Sequence, residues 1–353
     1  MQLFGNSDRR IAYWLIIVAI MIYAMVLLGG VTRLTGSGLS MVQWEPILGV
    51  IPPLSHQEWE ATFDKYKQFP EYQQLNRDMD LSEFQKIFAF EYTHRLLGRS
   101  IGLAFLIPFL FFFFRKQIKP SLTPKLVIMF VLGGLQGLLG WFMVKSGLVD
   151  KPNVSQFRLA AHLMTAILIY SYILWTAWGL LSPTPRNAWV PRVKNLRRQV
   201  RILTVIIVVM IISGAFVAGT HAGAVFKTFP DMNGHIIPPG LFAMSPFLSN
   251  FVENTTTIQF DHRLIAYIIV IFLLLTWYRS RHFTLTRSAR NAFNLLLLVM
   301  IVQITLGIST LLSVPDVPVR AGVSVVLAAM HQGGALLLLT VVLYLNHELR
   351  KGN

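Results

Sequence analysis

The sequence predicts an all-α integral membrane protein. Its eight transmembrane helices would form two tandem four-helix bundles related by a pseudo-twofold along the membrane normal. Three observations carry this expectation. The chain is 54% hydrophobic and only 13% charged, a composition outside that of ordinary soluble domains. Apolar runs long enough to cross a ~30 Å hydrocarbon core recur eight times. The landmarks of the first four runs return, in the same order, in the last four.

The runs fall near 11–30, 88–114, 126–145, 157–181, 200–219, 258–278, 292–313 and 322–345. Any one of them alone fits a buried helix of a soluble protein; eight in series do not. The first follows Arg9 and Arg10 and resembles a secretory leader. Residues 200–219 take the same place in the second half, so both runs are read as spans.

Charge gives the orientation. With the N-terminus inside, the inner segments hold Arg9, Arg10, Arg115, Lys116, Lys119, Lys125, the basic stretch from Arg186 through Arg192 to Arg201, then Arg279, Arg281, Arg287, Arg290, Arg350 and Lys351. Their acids are Asp8 and Glu348, whereas seven carboxylates crowd the outer stretch between Glu58 and Glu83. This is the positive-inside pattern, with both termini cytoplasmic. The net charge of +15 is therefore topology and not a nucleic-acid footprint. A bacterial cytoplasmic (inner) membrane is the simplest home. The absence of cysteine excludes disulfides, thiolate haem ligation and iron–sulfur clusters.

The repeat can be followed residue by residue. GGVTRLTGSG (29–38) aligns without gaps on GAFVAGTHAG (214–223), and GVIPP (49–53) answers GHIIPP (234–239). His94 and His262 are 168 apart, Gln136 and Gln303 are 167 apart, and His162 and His331 are 169 apart. Gly140 and Gly307 each stand four residues beyond one of the glutamines. The chain thus divides into a bundle at 1–181, a basic linker at 182–199 and a second bundle at 200–353.

Histidine inside hydrocarbon is costly and points to a task. Two histidines per bundle at repeated positions suggest haem or metal ligation. Haem is favoured over a small ion, since zinc wants three or four protein ligands, whereas a porphyrin leaves only two axial positions for imidazoles. All four histidines lie near the outer ends of their spans, beneath long outer segments (about 31–86 and 220–257) that could cover them. His56, His221, His235, His282 and His347 fall in loops or at helix ends and are read as solvated, with His221 or His235 placed to help at a site.

Glu91 stands on the face of His94 by i, i+3 spacing, and its counterpart is the uncharged Gln259. It either pairs with Arg95 one turn on or sits as a carboxylate beside a cofactor in the first bundle alone. Arg95, Arg99 and Arg263 either snorkel to headgroups or pair with haem propionates. Glycines 29, 30, 133, 134, 137 and 140 permit close helix approach or make room for a flat macrocycle.

At GGVTRLTGSGLSMVQW (29–44), EYTHRLLGR (91–99), AAHLMTA (160–166), FDHRLIAY (260–267) and MHQGGALLLL (330–339) the chain resembles the haem A synthase family, in its cysteine-less bacterial and mitochondrial branch. The resemblance runs over essentially the whole chain. It implies a membrane oxidoreductase that converts the C8 methyl of haem O to the formyl group of haem A for terminal oxidases. By that resemblance His94 and His162 bracket the substrate haem, and His262 and His331 ligate a resident haem b. Glu91 matches the family's catalytic acid. Haem O synthase and terminal oxidase assembly factors are the implied partners, with membrane lipid around the whole. Thiol activation through an outer-loop cysteine pair is void here, where the acidic stretch 58–83 stands instead. Two other readings start from the same residues: a di-haem b-type electron-transfer protein, and a parallel-repeat transporter. The outer placement of all four histidines and the Glu91/Gln259 asymmetry weigh against the first. The lack of a proline- and glycine-broken span at mid-membrane weighs against the second.

Overall fold

Backbone in hydrocarbon finds no water to bond, so each spanning segment must satisfy its own N–H and C=O groups, which a helix does. The computed structural model describes residues 2–42, 48–147, 154–184, 187, 190, 193–315 and 322–351. Gln43 and Trp44 of the first motif, and Arg186 and Arg192 of the linker, lie outside the described residues. Among the described residues, eight helices are long and apolar enough to span a membrane: α1 (Gln2–Leu34), α4 (Leu81–Phe114), α5 (Thr123–Gly147), α6 (Gln156–Leu181), α7 (Val193–Gly219), α8 (Thr255–Ser280), α9 (Arg287–Leu312) and α10 (Val323–Glu348). Two short helices, α2 (His56–Lys67) and α3 (Pro70–Leu75), lie in the first outer segment. The protein is a multi-pass, all-helical membrane protein.

In the first half, α1 packs on α4 and α6, and α5 closes the ring against the same two helices. In the second, α7 packs on α8 and α10, and α9 closes against those two. The halves meet through α1–α10, α6–α7 and α6–α10. Exchanging the halves turns the first of these contacts into the second and leaves the third unchanged. Buried residues of α1, α6, α7 and α10, among them Leu15, Ile173, Leu203 and Leu339, make the shared core. Helices α4 and α5 bury far less of themselves and present their apolar side chains outward.

Three sequence expectations need correction at their edges. Helix α4 starts at Leu81 under an Asp80/Glu83 capping box, about two turns before the span at 88. Its extension packs with α2 and α3 through Phe63, Tyr66, Met79, Phe84, Ile87 and Phe88. The acidic stretch is thus a folded cap. The linker expected at 182–199 ends early, because Val193 already begins α7. Asn187 and Arg197 in that stretch are buried, tied to the carbonyls of Glu348 and Leu349 at the end of α10. Finally, His347 is 1% exposed and not solvated; it packs edge-on against Trp175.

Candidate functional site

The outer ends of the two bundles are built alike. Helix α1 stops at Leu34 and α7 at Gly219. The next residues, Thr35 and Thr220, turn their hydroxyls back to the carbonyls of Val31 and Phe216. The chain then reverses through left-handed residues at matching positions, Gly36 (φ 64°) and His221 (φ 56°). Glycine takes that conformation freely, whereas histidine takes it at some cost.

Beyond each turn the loop is clamped to the histidine-bearing helix. In the first half the buried Glu91 carboxylate accepts from the Ser40 hydroxyl and the Met41 N–H, both at 2.7 Å, and from Arg95 at 2.5 Å. Arg95 also donates to the Met41 carbonyl at 2.8 Å. In the second half Gln259 accepts from the Phe226 N–H at 3.2 Å and donates to the Phe226 carbonyl at 2.8 Å. Arg263 donates to that same carbonyl and to the carbonyls of Thr228 and Asp231. Met41 and Phe226 lie at equivalent distances beyond their turns. Arg95 and Arg263 therefore hold loops, and the i, i+4 pairing of Glu91 with Arg95 is formed. Ser40, Met41 and Phe226 were not singled out from the sequence, although Met41 and Phe226 stand three positions past the ten-residue aligned block.

Each of the four intramembrane histidines sits on a glycine of the neighbouring helix. A Cβ at Gly29 on α1 would lie 3.0 Å from His94, and one at Gly140 on α5 would lie 3.0 Å from His162. The second half repeats this with Gly214 and His262 at 3.4 Å and with Gly307 and His331 at 2.8 Å. Gln136 donates to the His162 carbonyl at 2.9 Å, and Gln303 donates to the His331 carbonyl at 3.0 Å. His94 and His162 are close enough to interact electrostatically, as are His262 and His331. The structure thus brings the four residues together as two pairs. Gly30 is also filled by a neighbour, while Gly133, Gly134 and Gly137 face open space.

The donor set fits a haem in each half. His162 Nδ1 and His331 Nδ1, at equivalent positions, are buried with no hydrogen-bond partner among the described residues. An unpaired buried polar atom is expensive, and in these two rings it is the nitrogen that a second-shell partner holds when the other nitrogen takes iron. Ser213 lies 3.1 Å from His262 Nδ1, the second-shell contact that orients a ligating ring. No group of three or more metal-ligating side chains occurs among the described residues, so a small ion would lack its ligands. The glycine cradles let the imidazole rings approach the helix backbones closely. His221 and His235 are exposed in the second outer segment and join neither pair.

Residues 12–343 match a family described as cytochrome oxidase assembly proteins. The chain is 51% identical over 344 residues to a protein of Nitrosospira multiformis named "Heme A synthase", covering 98% of this chain and 94% of that one. It is 48% identical over 348 residues to the protein of the same name from Nitrosomonas eutropha, covering 98% and 95%. A bovine relative, "Heme A synthase COX15", is 43% identical over 351 residues, covering 98% and 83%. The chain belongs to the haem A synthase family of cytochrome oxidase assembly proteins.

Proposed function

We infer that the protein carries out its family's reaction, the oxidation of the C8 methyl of haem O to the formyl group of haem A, in the N-terminal bundle. His94 and His162 would bracket the substrate there, and His262 and His331 would hold a resident haem b. The observation that carries this reading is the fourfold seating of histidine on glycine, two per bundle at repeated positions. A resident haem supplies an electron acceptor or relay, a chemistry that no side chain offers. The two halves, 1–181 and 200–353, would be related by a pseudo-twofold along the membrane normal, in keeping with the exchange of helix contacts.

The chain's own residues do the rest. Glu91 and Arg95 clamp the Ser40–Met41 segment onto the outer end of α4. Three donors converge on Glu91, an arrangement that suits an acceptor-only carboxylate. A carboxylate so held serves best by stabilising positive charge that develops beside the methyl carbon. Arg95 and Arg263 place fixed positive charge next in sequence to His94 and His262, at the ends where haem propionates would be held.

The positive-inside pattern supports a bacterial inner membrane location with both termini cytoplasmic and both haem sites toward the outer face. A haem O synthase and terminal oxidase assembly factors are the partners that fit such a substrate and product. Mass analysis of haems extracted from the purified protein tests the reading. Haem B together with haem O or haem A is the expected result. Two haem B per chain and neither of the others would overturn it in favour of an electron carrier.

A further inference from the structure

The two seams that join the halves are not alike. Where α10 meets α1, Gln332 donates from Nε2 to the Val26 carbonyl at 2.8 Å. Its Oε1 fills the space that a Cβ at Gly30 would need. Tyr23 donates to the Gly333 carbonyl at 3.0 Å. The repeat puts Leu163, Val208, Ile211 and Ala215 at the matching positions of α6 and α7, all apolar. Among the described residues, one seam is therefore hydrogen-bonded at these positions within hydrocarbon and its counterpart is apolar there. Polar contacts there fix register more firmly than apolar ones, because the alternative is an unsatisfied group.

The polar seam also lies between the two histidine pairs. His94 packs on Gly29, the next residue Gly30 packs on Gln332, and Gln332 is bonded to His331. This is an unbroken line of covalent bonds and close contacts from one pair to the other, through a helix contact that has two sides to bias. We propose that Gln332 is a positioning residue: it locks the His331 helix onto the bundle that carries His94, so that each haem site responds to the state of the other. The proposal rests on the reading that both pairs bind haem.

The test is spectroelectrochemistry of the C-terminal haem in full-length protein, with and without a haem at the first pair, the latter made with His162→Ala. With Gln332 present, emptying the first pair changes the oxidised-to-reduced ratio of the second haem about tenfold, roughly 59 mV for one electron. In Gln332→Leu, which gives this seam the residue of its counterpart, the change falls to about twofold, roughly 18 mV by the same constant. A through-space interaction between the irons would survive Gln332→Leu at full size, and that result overturns the proposal. So does a second haem indifferent to the first when Gln332 is present. Should Gln332→Leu lose haem altogether, Gly30→Ala keeps the glutamine but drives a methyl into the space its Oε1 fills, and it must reduce the coupling too. If the unmodified protein binds no haem, the functional reading falls and takes this inference with it; two bound haems and normal haem A formation with unaltered coupling sink the inference alone.

Discussion

Glu91 and Gln259 occupy the same place in the two halves, are equally buried at 2% and 3% exposure, and do the same mechanical work. Each takes the N–H of the residue that begins the outer loop, Met41 or Phe226, and each stands one turn before an arginine that takes that residue's carbonyl. The amide manages both ends of the clamp itself, accepting and donating. The carboxylate can only accept, so Arg95 and Ser40 supply what it lacks. The clamp therefore does not require a charge. A charge retained at only one of two equivalent positions has some other purpose, and the half that keeps it is the half assigned to the substrate.

The largest effect should come from erasing that difference. Glu91→Gln would copy the second half's clamp: the new amide accepts from Met41 N–H and donates to the Met41 carbonyl, just as Phe226 already takes two donors. Haem loading and protease resistance of the first outer segment should then be unchanged. Conversion of haem O should fall on the order of 10²-fold, the cost of removing one preorganised electrostatic group. Full conversion at normal loading would reduce Glu91 to a loop anchor. The reverse change, Gln259→Glu, should leave haem A formation within about twofold, provided that Arg263 turns to the new carboxylate as Arg95 does to Glu91.

The glycine cradles allow a finer comparison, because their clearances differ. A methyl at Gly307 meets His331 at 2.8 Å, whereas one at Gly214 has 3.4 Å to His262. In the first half Gly29 and Gly140 are matched at 3.0 Å. Overpacking costs about 1–3 kcal/mol, and it acts here on rings that must stay aimed. Gly307→Ala should lower haem occupancy and thermal stability most, Gly29→Ala and Gly140→Ala by similar lesser amounts, and Gly214→Ala least. Equal losses at Gly307 and Gly214 would mean that the rings, not the helices, give way.

The spans, the repeat and the four histidines were legible in the sequence because each rests on a regular signal: long apolar runs, a near-constant offset, and a residue type that hydrocarbon penalises. The turns at Gly36 and His221 hid in plain alignment, since a histidine at a left-handed position gives no local warning. The GVIPP and GHIIPP segments went the other way. Their likeness stops at the letters, for Gly49 sits in a 3-10 turn with φ −71° and Gly234 at φ 88°. The burial of His347 has no local signal, because it comes from Trp175 and Trp178, distant in sequence. Gln332 stood in a quoted motif, yet its partner Val26 lies 306 residues away.

The smallest effect separates the two outer caps. The first is held by a buried aromatic cluster around Tyr66 and Phe84. The second, around Phe226–His235, adds exposed polar bonds at Asp231 to the buried Gln259 clamp. Asp231 accepts from the Thr228 hydroxyl and from Gly234 N–H, which hold its carboxyl below the usual carboxylate range, with Arg263 adding to the effect. A depressed value means that its contribution is complete above the unfolded value, about 3.9, and is lost as pH falls through the lower folded one. Hydrogen exchange at the amides of Asn233 and Gly234 should therefore quicken modestly as pH falls from about 5 to about 3, once corrected for intrinsic rates. Asp231→Asn should exchange faster at pH 5 and lose that pH dependence. An acid-induced loosening that persists unchanged in Asp231→Asn would move the responsible group elsewhere in the loop, and the two caps would then differ in packing alone.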